Sequence, residues 1–152
     1  MCWTAGMTAW MAAGLPVEHE SKPPAPAKFA FEAMAERIAT CADVLQAIDK
    51  PGSVILDNRS EAEFTGQDRR AKHGGAIPSA RHCDWEDLYD HATGRMKPLD
   101  ALREIFERRG ATPDKEIIVY CNTGFRSAHA YLALRLLNYP RMRNYVGSWQ
   151  EW

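Results

Sequence analysis

Ile117-Ile118-Val119-Tyr120-Cys121-Asn122-Thr123-Gly124-Phe125-Arg126-Ser127 is the stretch on which the fold turns. Its first four residues are β-branched or aromatic and carry no charge, the pattern of a strand buried on both faces. Cys121 ends that strand, and a short loop is expected over Asn122–Ser127. An amphipathic helix pattern follows, with Ala130, Leu132, Leu134, Leu136 and Leu137 set among Ala and Arg. A thiol placed where a strand hands over to a helix faces that helix's unpaired N–H groups. Those donors, with the positive end of the macrodipole, favour an anion. The same field favours thiolate over thiol, and thiolate is the nucleophilic form. Arg126 adds a fixed cation whose fork suits an oxyanion. The plain alternative is a buried structural cysteine at a strand end. The Gly and Arg beside Cys121 weigh against it.

Working outward, the chain alternates strands and helices. Arg37-Ile38-Ala39 reads as a short edge strand. Thr40 then caps a helix over Cys41–Ile48, with Val44, Leu45 and Ile48 on one face. Pro51-Gly52 turns into a strand over Val54–Asp57, and Ser60–Phe64 reads as a short helix. Pro98 opens the clearest amphipathic helix, where Leu99, Leu102, Ile105 and Phe106 share a face and Gly110 is the stop. Such alternation implies an α/β fold, a parallel sheet with helices on both faces. In these sheets sites lie beyond the carboxyl ends of strands. Asp57 and Cys121 both fall there.

Composition sets compatible bounds. The 152 residues suit one domain of ordinary size. A hydrophobic fraction of 45% is enough for a core, and 26% charged is ordinary for a globular protein. A net charge of -1 argues against bulk attraction to nucleic acid or membrane. Cys2, Cys41, Cys83 and Cys121 show no C-x-x-C and no metal-ligand spacing. That usage fits a reducing, cytoplasmic compartment with unpaired thiols. No apolar run approaches the ~20 residues of a membrane span. Met1–Pro16 lacks the basic start of a signal peptide, and Trp, Thr and Gly interrupt its apolar residues.

Five stretches resemble the rhodanese family, the thiosulfate and mercaptopyruvate sulfurtransferases. Cys121-Asn122-Thr123-Gly124-Phe125-Arg126 resembles the six-residue active-site loop. Val54-Ile55-Leu56-Asp57-Asn58-Arg59 resembles V-L-D-x-R, and Glu63-Phe64-Thr65-Gly66 the E-[FY]-x-G that follows it. Gly75–Ala80 resembles G-H-I-P-G-A, with Ala76 for His and Ser79 for the second Gly. Arg143–Trp152 resembles R-N-Y-D-G-S-W-x-E-W, with Val146 for Asp. The resemblance spans roughly Arg37 to Trp152 and implies a rhodanese-like parallel sheet of about five strands. Ala5–Trp10 is similar to Gly147–Trp152, and Ala12–Glu18 to the tail that closes such domains. Residues 1–20 are therefore expected to be the tail of an upstream rhodanese domain, 21–36 a Pro-rich linker, and 37–152 the catalytic domain, its own tail truncated.

The resemblance implies ping-pong sulfur transfer. The Cys121 thiolate takes the outer sulfur of thiosulfate, sulfite leaves, and a persulfide forms. Cyanide or a thiol then removes that sulfur. Backbone N–H groups of Asn122, Thr123, Gly124, Phe125, Arg126 and Ser127 are expected to cradle the anion, with Gly124 permitting positive φ. Arg126 is expected to grip the sulfonate oxygens. No metal and no organic cofactor is implied. The partners implied are a small anionic sulfur donor, a thiophilic acceptor and the upstream domain, with neither nucleic acid nor membrane. Mercaptopyruvate-type loops read C-G-[ST]-G-V-T, so Asn122 and Arg126 favour thiosulfate, with 3-mercaptopyruvate the alternative. A rhodanese-fold phosphatase or arsenate reductase would use C-x5-R, one residue longer than the C-x4-R here. An inert binding module commonly lacks the cysteine.

Other residues carry weaker expectations. Asp57 and Arg59 either support the site or form a buried ion pair bracing the sheet end. Arg69, Arg70, Lys72 and His73 form a basic run that either draws anions or is a solvated loop. Trp149 and Trp152 are expected in the core, in preference to the pocket wall. His82, His129 and Cys83 read as structural.

Overall fold

Four apolar residues in a row need cover on two sides, and the architecture supplies it. The structure, a computed structural model, describes residues 6–20, 23–32 and 34–152. In chain order the elements are α1 (Met7–Ala12), β1 (Ile38–Ala39), α2 (Cys41–Ala47), β2 (Ser53–Asp57), α3 (Glu61–Phe64) and β3 (Arg81–His82). A small hairpin, β4 (Tyr89–Asp90) and β5 (Arg95–Met96), precedes α4 (Leu99–Arg108). β6 (Glu116–Tyr120), α5 (Phe125–Leu136), β7 (Met142–Tyr145) and α6 (Ser148–Glu151) complete the chain. Five strands form one sheet in the order β1-β7-β6-β2-β3, every pairing parallel, with β6 at its centre.

Side chains alternate across that sheet with period two. Val54, Leu56, Ile117 and Val119 meet Leu102 and Phe106 of α4 and Ala130, Ala133 and Leu134 of α5. Ile55, Ile118 and Tyr120 meet Val44 and Ala47 of α2, with Trp149 beside them. Each such fully buried aliphatic side chain stabilises the fold by about 1.5–3 kcal/mol relative to exposure. At the start of α2, Thr40 Oγ1 accepts the Asp43 N–H at 3.2 Å, while the Asp43 carboxylate accepts the Thr40 N–H at 2.8 Å.

Two helix faces differ from expectation. Leu45 is 57% exposed and Leu99 52% exposed, so the inward stripes are Val44, Ala47 and Ile48, and Leu102, Ile105 and Phe106. Each residue turns a helix by about 100°, which carries Leu45 past the sheet and leaves Leu99, at the first helical position, beyond the core. The loop after Cys121 is also shorter than expected. It comprises Asn122-Thr123-Gly124, and helix α5 already begins at Phe125, which places Arg126 and Ser127 in its first turn.

Toward the start of the chain, Ala9 of α1 is buried while Met7 and Met11 are exposed. A Cβ on Gly94, in the β4–β5 turn, would lie 3.4 Å from Ala9 N, so α1 rests against that hairpin. Residues 23–32 carry no regular secondary structure and are exposed. The expectations placed on Cys2, Trp3 and Ala5 lie outside the described residues.

Candidate active site

Strand β6 delivers Cys121 to the carboxyl end of the sheet's centre, where the side chain is only 1% exposed. The chain must then reverse within three residues to start α5. Gly124 makes that possible by adopting φ 88°, a left-handed conformation that side chains disfavour. Its N–H donates to Cys121 Sγ at 3.1 Å. The Ser127 hydroxyl, one helical turn on, lies 3.6 Å from the same sulfur. Burial by itself pushes the Cys121 thiol up. The N–H and hydroxyl of Ser127, with the N–H groups of Thr123 and Gly124, outweigh it and hold the thiol below its ordinary value. The loop thus favours the thiolate more than water does.

The loop's outer side is fixed by residues that sequence patterns did not reveal. Cys121 N–H donates to Ser148 Oγ at 3.2 Å, and the carbonyls of Cys121 and Asn122 accept the N–H groups of Trp149 and Gln150 at 3.0 and 3.2 Å. Ser148 achieves this at φ 55°, backbone strain of the kind that accumulates at functional sites. Ser127 Oγ also lies 2.7 Å from Asn144 Oδ1 and 3.0 Å from Gly124 O. One hydroxyl proton serves one of these acceptors at a time, so Asn144 competes with the sulfur for it. Asn122 holds a buried Oδ1 with no hydrogen-bond partner among the described residues.

Gly124 allows a direct test of the tight loop. A Cβ there would lie 2.9 Å from Val146 O and 3.2 Å from Val146 Cα. Gly124→Ala is expected to lower stability by about 1–3 kcal/mol through strain at positive φ, and to slow Cys121 alkylation at neutral pH by displacing the Gly124 N–H. Denaturation curves and iodoacetamide kinetics on the variant check both.

Arg126 has a partner within the fold. Its Nη1 and Nη2 donate to Glu63 Oε2 and Oε1 at 2.6 and 2.8 Å, so the fork meant for donor oxygens is closed on a carboxylate. Three of the guanidinium's five N–H groups remain for an anion. Glu63 is 1% exposed and also accepts the Ser60 N–H and hydroxyl, at 3.1 and 3.0 Å. Its burial favours the neutral acid, but Arg126 and Ser60 override that and lower the carboxyl from 4.5 to about 2. The folded value lies below the unfolded one, so this pairing stabilises fully above about 4.5 and is lost as pH falls towards about 2. Asp43, lowered to about 2, titrates in the same window. Glu63→Gln should therefore flatten part of the acid-induced fall in urea midpoint.

The other expected residues sort cleanly. Asp57 and Arg59 form a buried ion pair, with Arg59 Nη2 at 2.6 Å from Asp57 Oδ2 and 2.6 Å from Gly75 O. Tyr120 Oη donates to Asp57 Oδ2 at 2.5 Å and accepts the Ile77 N–H at 3.1 Å. Trp149 lies in the core with its ring 4.3 Å from the Arg59 guanidinium carbon. This assembly braces the strand ends behind the loop and has no bond to the thiol. His82 Nε2 pairs with Arg59 O at 2.8 Å, and half-buried His129 sits edge-on to Trp85 at 6.0 Å. Cys83 is fully buried, and burial pushes its thiol up to about 12, which leaves it far less reactive than an ordinary thiol. Among the described residues no cluster of His, Cys, Asp or Glu is arranged to hold a metal, and no helix is long and apolar enough to cross a membrane.

A parallel sheet covered on both faces, with a cysteine whose thiol is held below its ordinary value at the central strand end, defines an α/β protein. The chain belongs to the rhodanese-like domain family, which it matches over residues 40–152. It is 37% identical to the thiosulfate sulfurtransferase of Azotobacter vinelandii, covering 97% of this chain and 54% of that protein. To the 3-mercaptopyruvate sulfurtransferase of Escherichia coli it is 36% identical, over 77% of this chain and 42% of that one. The anaerobic ergothioneine biosynthesis enzyme from Chlorobium limicola superposes with a TM-score of 0.87 at 22% identity, over 97% of this chain and 37% of that chain. That last likeness is one of fold. The chain spans about half the length of the curated relatives it matches.

Proposed function

We propose that the chain carries a thiosulfate sulfurtransferase activity with Cys121 as the nucleophile. The observation that carries this reading is the Gly124 N–H at 3.1 Å from Cys121 Sγ, within a loop that lowers the thiol's pKa. The thiolate attacks the outer sulfur of thiosulfate, the S–S bond breaks, and sulfite leaves with the electron pair. A cysteine persulfide remains, and cyanide or a thiol then removes its outer sulfur. The chemistry requires no metal or organic cofactor, because sulfite is a good leaving group and the N–H cradle stabilises both the thiolate and the arriving anion. Intact mass after thiosulfate treatment tests the reading. A gain of one sulfur atom, removed by cyanide with release of thiocyanate, supports it; unchanged mass at full thiol reactivity sinks it.

Arg126, held by Glu63, presents its remaining N–H groups to the donor. Arg126→Ala is expected to raise the KM for thiosulfate and lower kcat/KM by about ten- to a hundredfold, the range for one lost charge-assisted contact of ~1.5–3 kcal/mol. Arg126→Lys should recover part of that, since it restores charge without the fork. Steady-state thiocyanate assays decide it, and an unchanged KM makes Arg126 a loop brace. The pairing with Glu63 also favours a second reading, 3-mercaptopyruvate as donor, because a compensated cation discriminates less between a dianion and a monoanion. The ratio of kcat/KM for the two donors separates them.

A further inference from the structure

We propose that the cavity at the amino end of the sheet, where β6 and β7 begin, binds a single nucleotide through its polyphosphate tail. The inference is independent of the chemistry at Cys121.

The cavity measures about 490 Å³, within the range of about 300–1,000 Å³ that small-molecule sites occupy. Three segments far apart in the chain bring arginines to it: Arg37 from the turn before β1, Arg135 from the end of α5 and Arg141 from the loop before β7. Among the described residues no hydrogen bond or ion pair engages Arg37 or Arg135, and Arg141 bonds only the carbonyl of Asp114. A fourth arginine, Arg143, is already neutralised, by Asp43 Oδ1 at 2.8 Å and by Glu116 on its other nitrogen. That leaves three cations facing the one carboxylate of Glu36. A cation in the last turn of α5 suits the helix dipole, which accounts for Arg135. It does not account for Arg37 and Arg141 on the same cavity, where like charges repel without an ion pair to offset them.

The lining selects the ligand. Guanidinium forks match phosphate oxygens bidentately, and three of them suit a multiply charged tail better than a lone monoanion. Phosphate by itself would leave much of the space unfilled. Tyr131 and Met142 give the lining an apolar side; Met142 is 6% exposed and the Tyr131 ring packs on the core. That side fits a planar ring. The Glu36 carboxylate has no donor among the described residues and suits sugar hydroxyls or an exocyclic amine. A charged tail, hydroxyls and a flat ring occur together in a nucleotide. The site is separate from the thiol. Glu116 opens β6 and Cys121 follows its last residue, so about 16 Å of strand lie between them.

Calorimetric titration of the full chain, at low ionic strength and without magnesium, tests the proposal with ATP, inorganic triphosphate, adenosine and a short RNA. ATP should bind at least about tenfold more tightly than inorganic triphosphate or adenosine, and it should raise Tm as its concentration rises. Added salt should weaken it. Arg135 and Arg141 are both exposed, so the double variant Arg135→Ala/Arg141→Ala should keep its fold and lose about tenfold or more in ATP affinity. Alkylation of Cys121 by iodoacetamide should be the same with and without ATP, and the same in the variant. No saturable ATP binding up to about 10 mM would overturn the proposal. Inorganic triphosphate binding as tightly as ATP would do so too, since charge alone would then explain it. RNA binding more tightly than ATP would replace the single nucleotide with a strand. A double variant that binds ATP like the parent, or ATP that slows Cys121 alkylation, would place the nucleotide elsewhere and equally overturn it. Failure of thiosulfate to load Cys121 would touch only the sulfurtransferase reading.

Discussion

Cys121→Ser is expected to abolish sulfur transfer while the fold and its thermal stability remain close to the parent's. The substitution keeps the size of the side chain and its contacts with the Gly124 N–H and the Ser127 hydroxyl. It removes the ionisation. A serine hydroxyl in this loop has no imidazole bonded to it among the described residues, since His82 Nε2 pairs with Arg59 O and His129 Nδ1 has no hydrogen-bond partner, and N–H donors alone cannot bring an alcohol to a useful alkoxide fraction. The expected loss in kcat is on the order of 10^4-fold or more, as for removal of other enzymic nucleophiles. Two measurements check it together: thiocyanate production, and protein mass after thiosulfate. A serine variant that still yields thiocyanate near the parent's rate would remove Cys121 from the mechanism.

The second large effect lies behind the loop. Arg59→Ala should destabilise the protein by about 3–5 kcal/mol, because it strands the Asp57 carboxylate at 0% exposure without its cation. For a domain of this size that corresponds to a fall in Tm of roughly 6–20 °C. The loss also empties the space under the Trp149 ring and frees Gly75 O. Replacing both partners with apolar residues of similar volume, as in Asp57→Leu/Arg59→Met, should cost less than the single change, since no unpaired charge remains. Calorimetry on the single and double variants decides the matter, and a double variant no more stable than Arg59→Ala would mean packing outweighs charge.

The sequence made the sheet's centre and the helix after it legible, because a continuous apolar run and a helical repeat are long, local signals. Thr40 and Pro98 marked helix starts for the same reason. Leu45 and Leu99 were misplaced because each borders its helix's apolar stripe, and pattern alone cannot show where the sheet ends. Strands β3, β4 and β5 hold two residues each, too few to display any period. The thiol's position was readable, since a strand end followed by Gly and Arg has a local geometry. The partner of Arg126 was not. Glu63 lies 63 residues away, and its local signals, the E-[FY]-x-G resemblance and the Ser60-x-x-Glu63 capping pattern, name no partner. Ser148 and Asn144 stood in the 143–152 stretch that carries the resemblance, but their bonds to the loop were hidden likewise, since hydrogen bonds across a fold leave no spacing in the chain.

The clasp between α6 and the loop bears on transplantation. Every carbonyl or N–H that fixes Cys121 and Asn122 from outside is matched by a group in Ser148, Trp149 or Gln150, and Ser148 is itself held by Tyr145 O at 2.8 Å. Residues 121–127 grafted alone onto another parallel sheet would carry the same charges and the same glycine, yet the loop would relax. The portable unit is the loop together with 144–150: two short segments from distant parts of the chain that a designer would have to move as one.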